Sequence, residues 1–162
     1  LIIVGGIWYF SQQNLPAPAE TTKTMEATVP AASISPIGYQ GQLLAGSSAP
    51  LLNFEKVDYE KALASNKLMV LYFYANWCPI CRTEFPKMQS VFNRLLTDQI
   101  IGFRINYNDN ETDADEQALA RQFGVSYQHT KVFLRDGQRL LKSPESWEEA
   151  RYQEEIDRAL NL

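Results

Sequence analysis

The run LMVLYFYA, residues 68–75, constrains the fold of this chain more than any other stretch. It is apolar throughout and rich in residues that favour extended backbone. A strand without polar alternation has to be covered on both faces, as in sheets flanked by helices on either side. The run leads directly into NWCPICRTEFP, residues 76–86, which holds the only two cysteines of the 162-residue chain, Cys78 and Cys81.

The remaining elements fit such a layered α/β domain. LLNF (51–54) reads as a short strand, and DYEKALAS as a short helix capped by Asp58. A helix is expected from about Cys78, with Phe85, Met88, Phe92 and Leu95 on one stripe and a kink at Pro86. IIGFRINY (100–107) is a second buried strand. DADEQALARQFG reads as a helix with Asp113 as cap, Glu116 completing a capping box and Gly124 as its stop. KVFLRDGQRLLK is a hairpin whose Asp136-Gly137 pair suits a type I′ turn. A last helix is expected near Ser146, with Glu149 closing its capping box and Trp147, Ile156 and Leu160 facing inward. The expected order is β-α-β-α-β-α-β-β-α, a central mixed sheet flanked by helices.

Composition excludes some functions. The net charge of −4 and the absence of a basic cluster argue against electrostatic capture of nucleic acid. One short-loop disulfide adds little chain-entropy stabilisation, so stapling is a poor use for the pair. A zinc site needs more ligands of this kind than one Cys-x-x-Cys supplies. Cysteines three apart at a helix start lie on one face of its first turn, close enough to be bridged. Pro79 suits the first helical position, where its missing N–H costs nothing. Helix N-termini carry partial positive charge and lower thiol pKa values from about 8.5 to roughly 3.5–7.5. Cys78 is therefore the expected nucleophile, and Cys81, one turn deeper, is placed to attack the mixed disulfide that forms.

The strand-to-WCPIC junction, the proline five residues after Cys81 and the DG hairpin together resemble the thioredoxin superfamily. They are most similar to its membrane-tethered, extracytoplasmic thiol–disulfide oxidoreductases of the TlpA/ResA type. The resemblance covers about 110 residues from Leu51 onward, a typical single-domain length. It implies a thioredoxin-like fold, catalysis by Cys78 and Cys81 with no cofactor required, and a Trp77 that flanks the site. It also implies that Pro79 and Ile80 tune the reduction potential, and that the partners are protein thiols or disulfides and a redox partner protein. Two positions depart from the family. The buried acid six residues before the first cysteine is replaced by Tyr72, a weak proton acceptor because an unperturbed phenol titrates near 10. Glu84 is the other acid placed to serve, from the helix, but it reads as a solvated surface charge, which leaves the deprotonation of Cys81 unassigned.

The second departure is FGVSYQHTKVFL. The family places a cis-proline and a threonine here, facing the disulfide. Aligning Thr130 puts His129, the sole histidine, at the proline position. A non-proline cis bond costs about 2.5–4 kcal/mol, so the Gln128–His129 peptide is expected to be trans. The segment also resembles the histidine region of Sco-type copper chaperones, although those carry CxxxC rather than CxxC. That likeness implies an alternative function, copper binding by Cys78, Cys81 and His129, with the soft sulfurs favouring Cu(I). Without a metal, an imidazole there would stabilise or relay charge at Cys78.

Ahead of the domain, LIIVGGIWYF (1–10) is uncharged and apolar but shorter than the roughly 20 residues of a membrane span. It is read as the outer end of an N-terminal anchor, with Trp8 and Tyr9 at the interface. The rival reading is a signal segment cleaved after APA, residues 17–19. Residues 11–48, poor in large apolar side chains, read as a disordered tether, which leaves 49–162 as the domain. The expected location is the cell membrane, with the domain outside the cytoplasm.

Overall fold

The computed structural model describes residues 38–162. The anchor expected at 1–10 and most of the expected tether lie outside the described residues. The elements run β1 (Leu43–Ala45), β2 (Leu51–Asn53), α1 (Lys56–Leu63), β3 (Leu68–Tyr74), α2 (Pro79–Arg94), β4 (Ile100–Asn106), α3 (Ala114–Gln122), β5 (Thr130–Arg135), β6 (Gln138–Ser143) and α4 (Glu149–Leu160). They form one six-stranded sheet in the order β1-β2-β4-β3-β5-β6. β3 pairs parallel with β4 and antiparallel with β5, so the sheet is mixed. Among the described residues no helix is long and apolar enough to cross a membrane.

β3 shows why its run is continuously apolar. Leu68, Val70 and Tyr72 point into a core shared with Met88, Phe92, Trp147 and Ile156 of the α2 and α4 side. Met69, Leu71 and Phe73 point into the opposite core with Tyr59, Leu119 and Phe123 of the α1 and α3 side. The two-residue strand period thus serves two cores at once. Gly102 of β4 allows α2 to pack closely, because a Cβ there would sit 2.7 Å from the ring of Phe92 and 2.6 Å from Leu51 Cδ1.

Several local expectations need correction. Residues 43–45, assigned by composition to the tether, form β1 and pair with β2. The preceding turn is held by Asp58, whose carboxylate accepts the N–H groups of Gln40 (2.9 Å) and Gly41 (2.6 Å). Asp58 is therefore not the cap of α1; Glu55 stands at that position without a side-chain bond. α2 spans Pro79–Arg94 with Pro86 inside it, where the sequence places it. α4 begins three residues later than expected, after Glu148, and has no side-chain cap. Ser146 is drawn elsewhere, since its hydroxyl donates to Glu84. The α3 capping box forms as read, with the Glu116 N–H donating to Asp113 (2.8 Å) and the Asp113 N–H to Glu116 (2.9 Å). Both residues of the Asp136-Gly137 turn have positive φ, as a type I′ hairpin requires.

Candidate functional site

β3 and β5 are antiparallel neighbours, so the end of one meets the start of the other, with Phe73 opposite Thr130. This register brings the loop after β3, which holds the cysteines, beside the loop before β5, which holds His129. Cys78 caps α2 and Pro79 occupies its first turn. The Cys81 N–H donates to Cys78 Sγ at 3.1 Å. Both cysteines are free thiols, Cys78 1% exposed and Cys81 wholly buried. Trp77 and Ile80 beside them are 50% and 43% exposed.

The approach to α2 is fixed by the loop after β4, a contribution not anticipated from the sequence. Asn76 N–H donates to Asp109 (2.9 Å), and the Trp77 indole donates to the Asn108 carbonyl (3.0 Å). The acidic and amide-rich YNDNETD stretch carried that signal as turn chemistry.

Burial pushes the Cys81 thiol up to about 12, helped by its hydrogen bond to Cys78. Backbone hydrogen bonding from Ala75 and His129 opposes the rise. Cys78 Sγ thus receives the N–H of its neighbour at the start of α2, where the helix N-terminus favours negative charge.

His129 sits immediately before Thr130, whose hydroxyl donates to the Tyr127 carbonyl at 2.6 Å. No peptide among the described residues is cis, so the Gln128–His129 bond is trans. His129 instead has φ of +52°, a left-handed conformation that histidine tolerates better than most residues. Ligand atoms of Cys78, Cys81 and His129 all lie within 4.8 Å of one another. The imidazole Nδ1 is buried without a hydrogen-bond partner. Burial lowers the imidazole's proton affinity, against the opposing influence of Glu84.

The largest departure from the sequence reading lies one helical turn beyond Cys81. Glu84 is not a solvated charge; it is fully buried and paired with Lys131 at 2.7 Å, also fully buried. Its Oε1 further accepts from the Tyr152 hydroxyl (2.7 Å) and the Trp147 N–H (3.1 Å). Lys131 also donates to the His129 carbonyl (2.9 Å) and to that of Glu145. Cys81, Glu84, Phe85 and Met88 share helical spacing, so a buried acid was readable from the stripe. Tyr72 is buried as well, and desolvation and the charge of Glu84 push its phenol far above its ordinary range. It keeps its proton and cannot serve as a base.

Residues 50–161 match the thioredoxin family. Thioredoxin H4 of Arabidopsis thaliana is 36% identical over 83 residues, which cover 51% of this chain and 63% of that protein. Thioredoxin H5 of the same plant is 33% identical over 99 residues, 60% of this chain and 74% of that protein. The chain therefore spans slightly less than two thirds of the length of thioredoxin H4. Among solved structures, thioredoxin of Schistosoma mansoni superposes with a TM-score of 0.54 at 24% identity, covering 70% of this chain and 98% of that one. That likeness shows the fold.

Proposed function

The chain belongs to the thioredoxin family, and on that premise we propose that it is a protein thiol–disulfide oxidoreductase in which Cys78 attacks and Cys81 resolves. The observation that carries this reading is the bond from the Cys81 N–H to Cys78 Sγ at a helix N-terminus. Cys78 thiolate attacks one sulfur of a protein disulfide, and the other sulfur leaves as a thiolate. Cys81 then gives up its proton, for which Glu84, the buried carboxylate one turn further along α2, is the candidate acceptor. The Cys81 sulfur attacks Cys78 Sγ, the ring disulfide closes, and the second substrate thiolate departs. The protein gives up two electrons and the substrate disulfide gains them; a partner dithiol protein reverses the change. Exchange with a protein disulfide such as that of insulin is expected to be lost in Cys78→Ser. In Cys81→Ser a mixed disulfide on Cys78 should accumulate. Equal turnover in wild type and Cys78→Ser would remove the reading.

The TlpA/ResA-like placement outside the cytoplasm is supported by the apolar LIIVGGIWYF segment and the small-residue stretch after it. In intact cells a membrane-impermeant maleimide should then label Cys78. Labelling only after lysis would contradict that placement.

One observation favours a second reading, copper carriage. Two sulfurs and an imidazole nitrogen are clustered within 4.8 Å, and the imidazole Nδ1 has no hydrogen-bond partner. This soft donor set fits Cu(I) as cargo. Titration of the reduced protein with Cu(I) against a competing chelator should show weaker binding in His129→Ala. Unchanged affinity in that variant would dismiss the three-ligand site.

A further inference from the structure

Lys131 is an uncommon residue for the inside of a sheet. It stands opposite Tyr72 in the β3–β5 register and is wholly buried. A buried ion pair is often no more stabilising than an apolar pair of similar volume, so pairing with Glu84 alone does not account for it. The ammonium makes two further bonds that a methionine could not. It donates to the carbonyl of His129 at 2.9 Å and to that of Glu145. Three segments therefore meet at one nitrogen: α2 through Glu84 at 2.7 Å, the loop before β5, and the loop after β6. His129 is the member of that set that needs holding. Its φ of +52° is a left-handed conformation, disfavoured for any residue with a Cβ. Its Nδ1 has no hydrogen-bond partner, so the place of the ring beside the sulfurs depends on the backbone that carries it.

We propose that Lys131 is a positioning residue, which fixes the His129 imidazole beside Cys78 and Cys81 by gripping the His129 carbonyl. The inference rests on the oxidoreductase reading and deepens it, because it assigns what holds the third member of the cluster in place. Lys131 lies two residues past His129 on β5, where pairing with Tyr72 fixes its own backbone. From that fixed point its side chain turns back to the carbonyl. An ammonium has three donors, and here each has an acceptor, so the grip cannot move elsewhere without losing a bond. Without it the loop is free to relax to negative φ, which carries the imidazole away from the sulfurs. Glu84 has a separate part, since it offsets the charge of the ammonium while the carbonyl bond does the positioning. The two roles can be tested apart.

The chain has one histidine, so its imidazole gives a single set of proton resonances. Oxidised glutathione should close the Cys78–Cys81 disulfide, taking up two electrons as its own disulfide becomes two thiols. In wild type this closure should shift the His129 resonances. The shift should persist in Glu84→Gln, which is less stable but keeps the carbonyl bond. Lys131→Met alone strands a buried carboxylate, so the decisive variant is Glu84→Leu with Lys131→Met, where both charges go together. There the shift should fall several-fold. The equilibrium constant with glutathione gives a second readout, in a cycle with His129→Ala. That substitution should change the constant by roughly threefold or more beyond its effect in the double variant, as coupled neighbours do. Equal resonance shifts in wild type and the double variant would overturn the proposal, as would equal effects of His129→Ala in both. Loss of the shift in Glu84→Gln as well would also overturn it, by tying the imidazole's place to stability and not to the carbonyl bond. Failure of glutathione to close the disulfide in wild type would instead overturn the oxidoreductase reading beneath it.

Discussion

Glu84→Gln is expected to destabilise the domain by about 3–5 kcal/mol, read as a lower denaturant midpoint at neutral pH. Both members of the Glu84–Lys131 pair are fully buried, so the variant leaves an ammonium in the core without its counter-charge. Glutamine keeps an oxygen for the Tyr152 hydroxyl and the Trp147 N–H, which isolates the loss of charge. Lys131→Met should cost a similar amount from the other side. The double variant Glu84→Leu with Lys131→Met should lose less than the sum of the two single changes, because the charges vanish together. The pH dependence has a defined sign. Burial already lowers the Lys131 proton affinity, and Glu84 is the largest influence opposing it. In Glu84→Gln the unfolded chain therefore binds this proton more tightly than the folded one. The stability deficit should shrink as pH rises toward about 10, where the unfolded lysine also titrates. A deficit under about 1 kcal/mol, typical of a solvent-exposed pair, would contradict the buried arrangement.

The same pair shows where sequence reading stops. The two-core strand, the cysteine turn, the Asp113–Glu116 box and the Asp136-Gly137 hairpin are local: each signal and its structural consequence fall within a few residues. Glu84 and Lys131 are far apart in the chain; the helical stripe can mark Glu84 as buried but does not name its partner. Only the packing of α2 over β5 makes them partners. Ser146 and Glu149 carry a capping-box pattern, yet Ser146 turns to Glu84 and Trp147 fills the core against Phe133 and Tyr152, so the helix starts later. Asp58 was misread for a related reason. Its partners, Gln40 and Gly41, lie in a segment whose composition gives no sign of folding. His129 was placed beside the cysteines by resemblance alone. Its left-handed backbone follows from the loop geometry, not from a signal in the sequence.

The second large effect concerns the unequal chemistry of two adjacent thiols. Cys78 Sγ accepts the Cys81 N–H at 3.1 Å. Cys81 is held by burial up to about 12 and stays a thiol across the physiological range. Its thiolate fraction at neutral pH is therefore smaller than that of an ordinary cysteine by about three orders of magnitude. It should rise about tenfold per pH unit toward about 12, since a tenfold change corresponds to one unit. This inequality gives the exchange reaction its order, because a sulfur that stays protonated at rest can only act second.

Peptide mapping of the reduced protein after limiting iodoacetamide, repeated from neutral to strongly alkaline pH, tests that inequality directly. At neutral pH the modification should fall on Cys78, with Cys81 joining only as the solution becomes strongly alkaline. Equal modification of both at neutral pH, or of Cys81 first, would contradict it.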